Sequence, residues 1–314
     1  MPQFHVKRSI QIDADPDLVF NTIADFKTWP EWSPWLLAER EAKLEFSDAP
    51  AEANGWYSWD GEVVGAGKMQ HVELSPPDGN SGFIRDQLNF LRPWKSEAQI
   101  RMNIAKTDDS KTELTWSMDS AVPFFLFFMK SMLTAMIGMD YDRGLRMLKE
   151  HIESGTIHSE TSVDGESQFD GVTIVGLSET CSLDDVGPSM QKLMESVKEK
   201  LGDECAKDQQ WVSLYHKLNF KTREMQFTTG VYVEADSKTP TGLVRKNVPA
   251  TRTFQVSHRG TYQHLGNAWF AAHQHLQAKK LKANRKLPGV EVYTGSMDGP
   301  AEDRVTEIHI PLKG

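Results

Sequence analysis

Apolar and polar positions alternate through the opening FHVKRSIQI, where Phe4, Val6, Ile10 and Ile12 keep the period of two of a half-buried strand. The spacing then turns helical in DPDLVFNTIADF: Val19, Phe20 and Ile23 recur behind Asp15 as a cap and Pro16 at the first helical position. Trp29–Pro30 and Trp32–Ser33–Pro34–Trp35 mark a short turn, with the tryptophans expected to pack. From 43 to 120, runs such as KLEFS, GKMQHVELS and EAQIRMNIAK are separated by SPPDGNSG and KTDDSKT, which predicts an antiparallel meander of five or six strands. A long helix over about 123–153 follows, with Leu145, Leu148 and Ile152 on one stripe.

The polar stretch SGTIHSETSVDGESQFDG reads as a linker, 156–168, whose last part forms a strand. Beyond it the order strand, helix, strand, strand occurs twice. The helices, near 183–201 and 263–280, carry apolar stripes that include Met190, Leu193 and Val197 in the first and Leu265, Ala268, Trp269 and Leu276 in the second. The repeat predicts a pseudo-two-fold domain with both helices on one sheet face. Val212, Leu214, Leu218, Val290, Val292, Ile308, Ile310 and Leu312 are then expected to face the helices. The opposite face would carry Trp211, Ser213, Tyr215, Tyr232, Glu291, Tyr293, Glu307 and His309 around a groove. The fold class is therefore α+β, divided as 1–155, a linker, and 169–314.

Charge adds one exclusion. Residues 1–155 hold 16 Lys+Arg against 24 Asp+Glu, and the remainder holds 19 against 20, so the net of −9 sits mainly in the first half. That balance argues against nucleic acid as a partner, because phosphate binding is driven by Lys and Arg. Cys181 and Cys205 show no CxxC spacing and are read as free thiols of a cytoplasmic protein. AVPFFLFFMKSMLTAMIGM is interrupted by Pro123 and Lys130 and is read as the start of the buried helix, so no membrane partner is expected. No zinc, P-loop or dinucleotide signature is seen, and neither metal nor cofactor is expected. His273 and His275 stand at i, i+2 on a helix and point apart.

The first half resembles the SRPBCC superfamily, the helix-grip fold of START domains and polyketide cyclase/dehydrase-like proteins. The resemblance rests on the order of elements, on IDADPDLVFNTIADFKTWPEW at the helix entry and on DRGLRMLKEHIE in the last helix. It implies a cavity for apolar ligands between sheet and long helix, which Phe124, Phe128 and Met132 would line. The alternative is that these residues fill the core. The second half, about 165–314, resembles the GyrI-like domain, the effector-binding domain of AraC- and MerR-type regulators and multidrug sensors. SHRGTYQHLGNAWFAAHQHL, LPGVEVYTG and VTEIHIPLK carry that likeness. It implies a groove glutamate that reads cationic aromatic compounds, with Glu291 favoured and Glu307 as the second candidate.

Aromatic faces attract cations, and a carboxylate in an apolar groove seeks a countercharge. Tyr215, Trp211, Tyr232 and Trp269 are the aromatic candidates beside the glutamates. The competing reading of either glutamate is an exposed strand residue paired with a lysine. His309 is expected to be solvated. Three function classes stay open: a binder of hydrophobic or cationic aromatic small molecules; a hydrolase or cyclase with Glu291 and Tyr293 as the catalytic pair; and a protein-interaction regulator that has no helix-turn-helix. The oligomeric state is not legible.

Overall fold

The computed structural model describes residues 3–108, 110–121, 124–202, 209–294 and 299–314, with the side chains of 124–126 outside the description. The chain divides into two compact units, Met1–Ile157 and His158–Gly314.

In the first unit an antiparallel sheet grips one long helix. Its strands are β1 (Gln3–Ile12), β2 (Lys43–Phe46), β3 (Trp56–Asp60), β4 (Ala66–Ser75), β5 (Ser81–Arg92), β6 (Ser96–Asp108) and β7 (Lys111–Ala121), in the order β1-β7-β6-β5-β4-β3-β2. Two short helices, α1 (Pro16–Ala24) and α2 (Trp29–Trp32), separate β1 from the meander. A 3-10 segment, Phe124–Met129, leads into α3 (Lys130–Ser154), so the regular helix starts later than its apolar run predicts. It stops at Gly155, whose φ of 80° lets its N–H turn back to the His151 carbonyl. Val6, Ile100, Met102 and Trp116 from the sheet share one core with Tyr141, Leu145 and Leu148 from α3. Trp29 and Trp32 close that core from α2 and are fully buried, as the short turn predicts.

In the second unit the strands are β8 (Ser159–Phe169), β9 (Val172–Ser182), β10 (Trp211–Asn219), β11 (Glu224–Tyr232), β12 (Val244–Val248), β13 (Thr251–Gly260), β14 (Gly289–Tyr293) and β15 (Val305–Pro311). Its helices are α4 (Val186–Leu201) and α5 (Gly266–Ala278). The spatial order is β12-β9-β11-β10-β14-β15-β13-β8. The repeat appears as β9-α4-β10-β11 and β13-α5-β14-β15, with β10 and β14 side by side at the centre. A strand precedes each copy and joins the far edge of the other: β8 pairs with β13, and β12 with β9. The segment 156–168, expected as a linker, is therefore mostly strand. Its polar alternation hid it, because an edge strand buries little on either face; along β8 the residues only alternate between half-buried and exposed.

The expected assignment of faces is corrected. Glu291 lies across from Ser213 and Ile308, whereas Val292 lies across from Glu307 and Val290 from His309. Directly opposed residues share a face. Glu291, Tyr293, Ser213 and Tyr215 thus share theirs with Ile308 and Ile310, and this is the face both helices cover. Helix α4 packs Met190, Met194 and Val197 with Val175, Phe227 and Val231. Helix α5 packs Ala268, Ala272 and Leu276 with Phe254, Val256 and Ile308. Val212, Leu214, Val290 and Val292 form a separate apolar cluster with Ile174 and Val248 on the opposite face, where Glu307 and His309 also lie. Within one strand the alternation holds; the sharing of a face between strands follows the register.

Candidate functional site

Glu291 sits mid-strand in β14, at the seam between the two repeats. Its side chain points to the helix-bearing face, and the residue is 1% exposed. Both helices reach this seam. From α5, the Trp269 indole lies over β14, and Gly289 makes room for it: a Cβ at 289 would stand 2.5 Å from the ring. From α4, Met190 presents its sulfur to Ser213 Oγ at 3.2 Å.

The carboxylate collects three donors. Trp269 Nε1 donates to Oε1 at 2.5 Å, while Tyr293 and Tyr215 donate their hydroxyls to Oε2 at 2.7 and 2.9 Å. An indole N–H can only donate, so Oε1 is an acceptor. Tyr293 gives its proton to Glu291, and its hydroxyl also lies 3.2 Å from Ser213 Oγ. Ser213 is held in turn by Thr229 at 2.9 Å. Aromatic rings enclose the group: Tyr215 meets Trp269 edge-on at 5.1 Å, and Tyr262 meets Tyr293 edge-on at 5.7 Å. Trp269 and Tyr262 are half-buried, so the buried carboxylate lies beneath rings that reach the surface.

Burial pushes the Glu291 carboxyl above the ordinary carboxylate range, and the three hydrogen bonds pull it partly back. Burial and the neighbouring Glu291 charge push Tyr215 and Tyr293 well above the ordinary phenol range, so both stay protonated donors. Every partner of the carboxylate is neutral. Among the described residues no Lys, Arg or His pairs with it.

The two halves of the chain match two known families. Residues 3–153 match the family described as polyketide cyclase / dehydrase and lipid transport. Residues 167–312 match the family described as integron-associated effector binding protein. The chain joins a polyketide cyclase/dehydrase-type domain to an effector-binding domain. Both are small-molecule-binding domain types. Similar solved structures include the Zhui aromatase/cyclase from Streptomyces sp. R1128, at 16% identity over 50% of this chain and 100% of that one, with a TM-score of 0.38. The integron cassette protein VCH_CASS2 from the mobile metagenome of Vibrio cholerae is 16% identical over 49% of this chain and 99% of that one, with a TM-score of 0.37. A START superfamily protein from Mycobacterium smegmatis is 18% identical over 48% of this chain and 99% of that one, with a TM-score of 0.34. No curated protein matches the chain.

Of the residues singled out from sequence, the structure of the effector-binding domain brings together Glu291, Tyr293, Tyr215 and Trp269. Trp211 shares their face and is buried, but it packs in the α4 core with Lys198 Nζ 6.0 Å from its ring centre. Glu307 lies on the opposite face with its side chain 35% exposed, 3.4 Å from His309 Nε2. His309, expected to be solvated, is buried against Phe169, and burial lowers its pKa. Tyr232 is exposed on that same opposite face.

In the cyclase/dehydrase-type domain Phe128 is 69% exposed and Met132 half-buried, while the Phe124 side chain lies outside the described residues. Phe128 therefore does not fill the core. Sequence reasoning missed Tyr262, Gly289 and Met190 as parts of the Glu291 site. Gly289 carried a usable signal, since a glycine opening a strand marks a close approach by another group. Among the described residues no helix is long and apolar enough to cross a membrane.

Proposed function

We propose that the effector-binding domain takes a cationic, partly aromatic small molecule at Glu291, and that the protein sequesters such compounds. The observation that supports this is a carboxylate 1% exposed that is held by three neutral donors and has no cation partner among the described residues. Burying an anion without a countercharge is costly, and a ligand cation would supply the missing partner. The rings of Tyr215, Trp269, Tyr293 and Tyr262 would supply apolar surface and negative faces for the rest of the ligand.

The test is calorimetric titration with tetraphenylphosphonium and, as a neutral counterpart, triphenylphosphine oxide. Wild-type protein is expected to prefer the cation, and Glu291→Gln to lose that preference. Equal affinity for the two probes, or a Gln variant that keeps the cation, would sink the reading.

A second reading is favoured by the 2.7 Å contact between Tyr293 and Glu291, which joins a base to a hydrogen-bond donor. Under it, the pair hydrolyses or cyclises an electrophilic small molecule. Glu291→Gln would then retain binding and lose turnover.

A further inference from the structure

Beyond Tyr262, at the rim of the Glu291 site, stands a positive charge that the site above does not use. Arg304 precedes β15 in extended backbone, with φ −72° and ψ 128°, two residues before Thr306. Thr306 lies across from Tyr293, so alternation gives Arg304 and Thr306 the face of Tyr293 and Glu291. The Arg304 guanidinium lies over the Tyr262 ring, 5.3 Å from its centre, and Tyr262 in turn meets Tyr293 edge-on. Tyr262 thus stands between this cation and the ring that donates to Glu291. Its phenol registers both charges: burial raises its pKa most, Arg304 lowers it and Glu291 raises it.

Arg304 is short of partners. Nη2 donates to the Gly299 carbonyl at 3.3 Å, while Nε is buried and has no partner. Among the described residues Arg304 forms no ion pair, although Glu302 and Asp303 precede it and are exposed. Two hydroxyls of the same corner, Thr261 Oγ1 and Thr306 Oγ1, are also buried without partners. The chain brings them together, because Gly260 N donates to the Arg304 carbonyl at 2.9 Å and Thr261 follows Gly260. His258, across from Thr306, adds no charge, since burial lowers its pKa to about 4. Arg304, Thr261 and Tyr262 are half-buried rather than sealed in, so the corner is open to an incoming group. A guanidinium N–H and two hydroxyls that lack an acceptor describe a place for an oxyanion, and the planar fork of arginine matches a carboxylate.

We infer that Arg304 is the second pole of the Glu291 site, and that the favoured ligand is a lipophilic zwitterion carrying a carboxylate. Its cation pairs with Glu291, its apolar body lies along Tyr293 and Tyr262, and its carboxylate takes Arg304 with Thr261 and Thr306. The inference rests on the reading of Glu291 as a cation site and narrows the ligand class of that site. A plain lipophilic cation meets an opposite charge at one end and a like charge at the other. A zwitterion meets an opposite charge at both, which fixes its direction in the groove as well as its affinity.

The test is calorimetric titration of the full chain with (5-carboxypentyl)triphenylphosphonium and with its methyl ester, which keeps the cation and the tether and removes the anion. Wild-type protein is expected to prefer the acid by about tenfold, the scale of a hydrogen-bonded charge pair. Arg304→Gln should bring the two within about twofold, and Arg304→Lys, which keeps the charge without the fork, should fall between. The ratio of the two affinities is the readout, because a change in folding moves both alike. Tetraphenylphosphonium serves as the third probe. Wild-type protein that binds tetraphenylphosphonium but takes acid and ester equally would overturn the role of Arg304 and leave the Glu291 reading standing. An Arg304→Gln variant that keeps the preference would do the same. Failure of wild type to bind any of the three would overturn both.

Discussion

Glu291 and Asp86 are both carboxylates on inner strands of antiparallel sheets, and both are fully buried, yet their surroundings differ in kind. Glu291 has three donors and no proton-sharing partner. Asp86 is hydrogen-bonded to the titratable His71 ring through one oxygen, and its second oxygen has no hydrogen-bond partner among the described residues. Burial raises the pKa of each. Burial alone therefore assigns no role; the partner set does. On the proposed reading, three donors without a countercharge leave Glu291 to be paired by a ligand cation, whereas Asp86 already shares a proton with His71.

The sharpest way to break this contrast is to remove the ring. His71→Leu leaves Asp86 buried without its partner and should cost about 3–5 kcal/mol in chemical denaturation of the first domain. A loss under 1 kcal/mol would mean that Asp86 is neutral and self-sufficient, and the comparison would collapse.

Next in size is Glu291→Gln. Gln keeps the shape and can still accept from Trp269, but it removes the charge. Affinity for tetraphenylphosphonium should fall by about 2 kcal/mol or more, some thirtyfold. The same variant has a pH signature. The folded, ligand-free domain holds the Glu291 proton more tightly than the unfolded chain does. Its contribution to stability is full below the unfolded value, about 4.3, and is lost as pH rises through the higher folded value. Wild type should therefore lose thermal stability relative to Glu291→Gln as pH climbs through that window. Cation affinity should climb over the same window, because the carboxylate form is the one that binds.

Gly289→Ala is a smaller perturbation that leaves the charge in place. A Cβ 2.5 Å from the Trp269 ring must displace it and pull the indole N–H off Glu291. Overpacking of this kind costs about 1–3 kcal/mol, and the thermal midpoint should fall accordingly. The weakest effect belongs to Glu307→Gln. That side chain lies on the far face and is partly exposed, so stability should change by less than about 0.5 kcal/mol with cation binding unmoved. A large loss of cation binding in Glu307→Gln would show that the two faces are coupled and would return Glu307 to the site.

Much of the plan was legible in the residues. The order of elements in the first half, the duplicated strand-helix-strand-strand in the second, and the pairing of Glu291 with Tyr293 on one strand face all follow from periodicity. Periodicity also misled in identifiable places. The polar alternation of Ser159–Phe169 read as linker because an edge strand buries too little to show an apolar face. Glu307 was grouped with Glu291 because both alternate with aliphatic residues, yet Glu291 opposes Ile308. Asp86 and His71 gave no signal, since 15 residues and a hairpin separate them.

By itself, then, the sequence determined which residues share a side of each strand and which stripe each helix buries, because those relations are local and repeat every two or 3.6 residues. Only the tertiary structure decided which strand sides coincide, which carboxylates end up together, and which polar atoms are left unpaired. A shift of one residue in register exchanges every side chain between faces. That register is set by the contacts of the whole sheet with its helices, which no single stretch of the chain contains.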